Sequence, residues 1–160
     1  MKNGFILAHM SQFTIRVYGI WIDEENRILL SDERIGNMQF TKFPGGGLEF
    51  GEGTIDCLKR EWIEELNTPI EVVSHLYTTD FFQASAFHRN TQVISIYYRV
   101  RPIEPPGIQY DEFPFSFHGE GHEEVRFRQI PLPQFHPDAL SFPIDKRVAE
   151  LLCHQLKTSS

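Results

Sequence analysis

Residues 45–68 read GGGLEFGEGTIDCLKREWIEELNT. A glycine turn comes first, then Glu52, then a segment of helical periodicity that carries Arg60, Glu61, Glu64 and Glu65. Residues three and four apart share a helix face, so Glu61, Glu64 and Glu65 crowd into one wedge. Like charges at that spacing repel by a few tenths of a kcal/mol per pair on an exposed helix. Arg60 offsets part of this through Glu64, but it is one cation among three anions. A hard divalent cation relieves the rest, because Mg²⁺ prefers carboxylate oxygens and keeps water and phosphates as its other ligands. The opposite face, Ile55, Leu58, Trp62 and Leu66, is apolar and predicts packing on a core. Thr54 reads as the N-cap, Asn67 as the left-handed residue that ends the helix, and Pro69 as its stop.

Taken together, Gly46, five residues, Glu52, seven residues and then Arg60-Glu61-Trp62-Ile63-Glu64-Glu65-Leu66-Asn67-Thr68 resemble the Nudix box. Every charged position and the first glycine match. Asn67 stands where the pattern has its last glycine, which Asn tolerates because it enters the left-handed region. Thr68 stands where the pattern has an aliphatic residue. The resemblance implies an α/β (α+β) chain, a Nudix-like α/β/α sandwich with a mixed β-sheet. It implies hydrolysis of a pyrophosphate bond in a nucleoside diphosphate linked to another group: a nucleoside triphosphate, an ADP-ribose-like conjugate or a dinucleoside polyphosphate. The implied cofactor is Mg²⁺ or Mn²⁺. The implied ligands are Glu61 and Glu65, one turn apart, with Glu64 directly or through water and the carbonyl of Gly45. Glu52 and Arg60 stand behind them and orient them. Glu61, with Glu64 beside it, or an acid of the 120–124 segment (Glu120, Glu123 or Glu124) serves as the general base. A different class also fits the box fold: a module that binds a nucleotide such as ADP-ribose without turning it over.

Composition narrows the classes. At 160 residues with 41% hydrophobic content the chain is long enough for one domain with a sizeable core, and the expected unit is residues 1–160. A net charge of −7 argues against non-specific binding to nucleic acid or a membrane surface. Two cysteines, Cys57 and Cys153, form no CxxC pair, so no disulfide scaffold is expected and a reducing cytoplasm is the default. No apolar run approaches the length of a membrane span. The expected partner is a nucleotide-type small molecule, and a homodimer is the assembly frequent in the resembled family.

Residues 1–12 read as an arm or a short strand. Phe13–Ile22 alternates and is rich in β-branched and aromatic residues, which predicts a strand, with Arg27–Ser31 returning from the turn at 23–26 as a hairpin. Arg34 follows in a polar connection, as a phosphate contact or a solvated surface residue. Met38–Phe43 reads as a short strand that delivers Pro44 and the glycines, which permit unusual backbone angles. Ile70–Thr79 and Thr91–Val100 read as strands. Between them, Phe82 and Arg89 lie on a rim where an aromatic ring could stack on a base and a guanidinium could meet a phosphate; core packing and a surface Arg are the plain alternatives. Residues 102–122 form a long Pro/Gly-punctuated connection in which alternating Phe113, Phe115 and Phe117 suggest an edge strand or a lid. Val125–Ile130 is the last strand, Asp145–Leu156 a final helix with Val148, Leu151, Leu152 and Leu156 as its stripe, and 157–160 a frayed tail.

Overall fold

A computed structural model of the chain describes residues 11–158. The expected arm at residues 1–10 and the last two residues of the expected frayed tail lie outside the described residues. Among the described residues seven strands form two sheets: β1 (Gln12–Ile20), β2 (Arg27–Ile35), β3 (Met38–Lys42), β4 (Gly45–Gly47), β5 (Ile70–Thr78), β6 (Thr91–Pro102) and β7 (Glu123–Pro131). Two helices complete the layers, α1 (Thr54–Leu66) and α2 (Pro143–Thr158). One sheet has the order β4-β1-β6-β5 and is mixed, with β1 parallel to β6; the other is antiparallel, β3-β2-β7.

The period-two alternation of the strands divides the core. Val17 and Leu29 join Cys57, Leu58, Trp62 and Leu66 of α1. Tyr18, Ile20, Ile28 and Leu30 join Ile144, Val148, Ala149 and Leu152 of α2. Successive strand residues point to opposite faces, so one β layer serves both helices, as an α/β/α sandwich requires. On α1, Cys57 is buried where the sequence suggested Ile55, which is exposed.

Several sequence-based expectations are corrected. β1 and β2 do not form a hairpin: an isolated Ile22–Ile28 bridge is their link, and they then diverge into different sheets. The hairpin is instead β2–β3, and Arg34 lies inside β2. The N-cap of α1 is Gly53, whose N–H donates to the Asp56 carboxylate at 3.2 Å; the Thr54 hydroxyl pairs with the Tyr98 hydroxyl at 2.7 Å. Residues 113–117 form no strand, and α2 starts two residues early and runs to Thr158. The helix end is as read: Asn67 takes φ 48°, ψ 38°. Thr68 is buried, its hydroxyl donating to Leu66 O at 2.8 Å, which explains how a polar residue fills an aliphatic slot.

Candidate active site

The glycine turn and α1 meet at close range. Gly45 has φ 145°, and a Cβ there would lie 2.1 Å from Val17 O. A Cβ on Gly46 would lie 2.4 Å from the Glu61 carboxylate, so the missing side chain is the room in which Glu61 rests. Any larger residue at either position displaces a strand or the acid.

Arg60 is the hub of the outer half of the site. Its Nε and Nη2 donate to the two oxygens of Glu52 at 3.0 and 2.7 Å. Nη1 donates to Glu61 at 2.9 Å and to Glu64 at 3.3 Å, while Nη2 also reaches Gly47 O at 3.1 Å. Hydrogen bonds from Arg60, and from the Glu49 N–H, hold the Glu52 carboxyl down at about 2. The same pairing raises the Arg60 pKa, so this cation stays charged at any working pH.

The inner half has a different character. Burial pushes the Glu65 carboxyl up to about 7; Lys42 and Arg16 oppose the shift, and the nearby Glu33 and Glu61 add to it. Glu65 Oε2 is buried without a hydrogen-bond partner among the described residues. Lys42 is also buried; its ammonium sits 2.6 Å from Glu33 and donates to Gly45 O at 2.8 Å. Burial works against that charge, but Glu33, Glu65 and Tyr18 outweigh it and raise the Lys42 pKa. The Gly45 carbonyl named by the sequence is thus already facing a cation.

Beside this inner half opens a cavity of about 450 Å³, within the range of small-molecule sites. Arg16, Glu33 and Lys42 line it near the acids, and Asp145 is among its buried lining residues. Phe40, Phe87 and Phe142 pack in tilted and edge-to-face contacts with ring centroids 5.2–6.0 Å apart, and all three line the cavity. Asp145 accepts the Tyr97 hydroxyl at 2.6 Å, and burial lifts its carboxyl to about 6.

The structure brings Gly45, Glu52, Arg60, Glu61, Glu64 and Glu65 together, with Glu64 the most exposed of the acids. Glu124 is elsewhere: it accepts from Arg34 at 3.1 Å and from the His118 and Gly119 N–H groups, so it secures the 113–122 segment to β2. Arg34 also donates to Gly119 O at 2.6 Å and lies over the Phe117 ring. Glu120 is exposed, and among the described residues no hydrogen bond or ion pair ties it or Glu124 to α1. Phe82 and Arg89 share a separate recess with Phe13, while Phe87 is the aromatic of that rim that reaches the main cavity. Arg16, Glu33, Lys42 and Asp145 were missed by sequence reasoning. Each is a charged residue at a position whose period faces inward, and that was the available signal.

The family model of the NUDIX domain matches residues 12–151. Solved structures similar to this chain include the MutT protein from Methanosarcina mazei Go1, at 18% identity over 92% of this chain and 97% of that one, TM-score 0.62. The MutT NUDIX hydrolase from Burkholderia pseudomallei is 18% identical over 88% and 98%, TM-score 0.57. An ADP-ribose pyrophosphatase from Streptococcus suis is 16% identical over 91% of each chain, TM-score 0.52. At such identities the likeness is one of fold.

Proposed function

The chain belongs to the NUDIX domain family, and from that premise we propose that it is a metal-dependent hydrolase that cleaves a pyrophosphate bond in a nucleoside diphosphate linked to a second group. The observation that carries this reading is the orphaned Glu65 oxygen, buried beside Glu61 above the glycine turn. A buried carboxylate oxygen without a donor is costly unless something positive meets it.

The donor set suits a hard divalent ion, since carboxylate and carbonyl oxygens are what Mg²⁺ and Mn²⁺ take. Glu61 and Glu65 would hold it, with Glu64 and the Gly45 carbonyl as further oxygens. Such an ion neutralises pyrophosphate charge and lowers the pKa of bound water. The protein's own part is positioning. Arg60 fixes Glu61 from one side and is itself fixed by the fork onto Glu52. Glu61, with Glu64 beside it, is the proposed base, and Glu120 or Glu124 is the alternative. We place the enzyme in the cytoplasm, acting on a nucleotide-type small molecule and assembling as a homodimer. Among the described residues no helix is long and apolar enough to cross a membrane.

Nucleoside triphosphates, ADP-ribose-like conjugates and dinucleoside polyphosphates are the substrates to screen, with Mg²⁺ and with Mn²⁺. The named activity of the Streptococcus suis neighbour supports including the second class. Release of phosphate or nucleotide that rises with pH and stops in chelator is the expected result. Turnover undiminished by chelator would overturn the metal-dependent reading.

A further inference from the structure

Arg16 stands where the cavity meets the acid helix. It lies on β1 opposite Gly47, and its Nη1 is 4.0 Å from where a Cβ on Gly47 would be. Its Nε donates to the Tyr18 hydroxyl at 2.6 Å, and the guanidinium carbon lies 5.7 Å from the Tyr18 ring centre. Among the described residues neither terminal nitrogen has a hydrogen-bond partner or an ion-pair partner within 4 Å. The side chain lines the cavity on one side and lies within electrostatic reach of Glu61 on the other. A guanidinium aimed by its Nε, with its two outer nitrogens open, is a preformed fork for an anionic oxygen pair.

The rest of the cavity sets the direction of the ligand. Phe40, Phe87 and Phe142 offer aromatic surface, and Asp145 and Glu33 are negative. An anion placed among them meets two carboxylates; a flat ring with N–H groups meets aromatic surface and an acceptor. The Lys42 ammonium is taken up by Glu33 and the Gly45 carbonyl, so the Arg16 end, next to the glycine turn, is the end that suits a phosphate.

We propose that Arg16 is the phosphate clamp of this cavity: with the nucleoside phosphate half of the substrate seated there, as the pyrophosphohydrolase reading requires, and its base against Phe40, Phe87 and Phe142, the two open guanidinium nitrogens hold its phosphate at the threshold of the acid helix. The inference rests on the pyrophosphohydrolase reading for its place in the reaction, but it is a statement about binding and can be tested without metal. Calorimetric titration in chelator compares GMP with guanosine on the wild-type chain, Arg16→Met and Arg16→Lys, each checked by circular dichroism. The wild-type protein should bind GMP at least about tenfold more tightly than guanosine, the worth of a charge-assisted fork. Arg16→Met should bring GMP down to the guanosine affinity and leave guanosine unchanged, with Arg16→Lys between them. Should the Met variant not fold, the Lys variant and the wild-type ratio decide alone. No GMP binding, equal affinities on the wild type, or a GMP advantage that survives both substitutions overturns the proposal. Hydrolysis that persists while the GMP advantage is absent sinks this inference and spares the activity. An Arg16-dependent GMP site on a chain without hydrolysis does the reverse.

Discussion

Two arginines in this molecule, Arg128 and Arg60, bind carboxylates in opposite ways. Arg128 meets Asp32 in the interior, Nε and Nη2 on the two carboxylate oxygens at 2.5 and 2.9 Å, and both residues are buried. The Thr41 hydroxyl and the Phe115 N–H donate to the same two carboxylate oxygens at 2.6 and 3.3 Å. One cation meets one anion there and every oxygen is answered. Arg60, partly exposed, divides itself among Glu52, Glu61 and Glu64, and near Glu61 the Glu65 carboxyl keeps a buried oxygen unanswered. Matched pairs of this kind hold structure; a surplus of buried negative charge held in place by packing is a site that something else completes.

That contrast is broken most sharply by removing one charge from each cluster. Glu65→Gln should lower kcat on the order of a hundredfold or more, because a proposed ligand of the ion is lost, while the melting temperature holds or rises. Steady-state kinetics and a thermal melt on one preparation check both halves. Asp32→Ala should do the opposite. Leaving Arg128 buried and unpaired costs about 3–5 kcal/mol of stability, measured by urea unfolding, and the fraction that stays folded should keep its turnover.

The sequence made one of these clusters legible and hid the other. The acid helix is local: Arg60, Glu61, Glu64 and Glu65 fall within two turns, and Gly46 and Glu52 precede them at a spacing the chain itself carries. Asp32 and Arg128 are 96 residues apart, and only the β2–β7 pairing brings them together. The same reason hid Arg16 beside Gly47 and Lys42 beside Glu33. The error over β1 and β2 is also one of pairing. Both strands were read correctly as strands, but a four-residue turn reads as a hairpin, and nothing local announces that the partners lie in different sheets. Asp145 was missed although it lies at one helical spacing with Val148, Ala149 and Leu152, and an acid on that buried stripe was the signal available.

Asp145 sharpens the comparison on a scale between the two. Its folded carboxyl sits near 6 against 3.8 unfolded, so the fold binds its proton more tightly than the open chain does. Its contribution is therefore greatest below about pH 4 and declines as the pH rises to about 6. Asp145→Asn should remove that slope and stabilise the protein at pH 8 by about 2–3 kcal/mol, read as a rise in melting temperature that shrinks toward pH 4. The smallest effect belongs to Glu64→Gln. Its carboxylate is more than half exposed, so the change in stability should stay within about 0.5 kcal/mol, and the loss in kcat should be well below that of Glu65→Gln.

Mn²⁺ binding followed by electron paramagnetic resonance tests the central claim without a substrate. The wild-type chain should take up Mn²⁺, Mg²⁺ should compete for it, and Glu65→Gln should weaken uptake at least about tenfold with the fold intact. Equal uptake by the two proteins, or none by either, would mean that the acids of α1 are only a charged helix face.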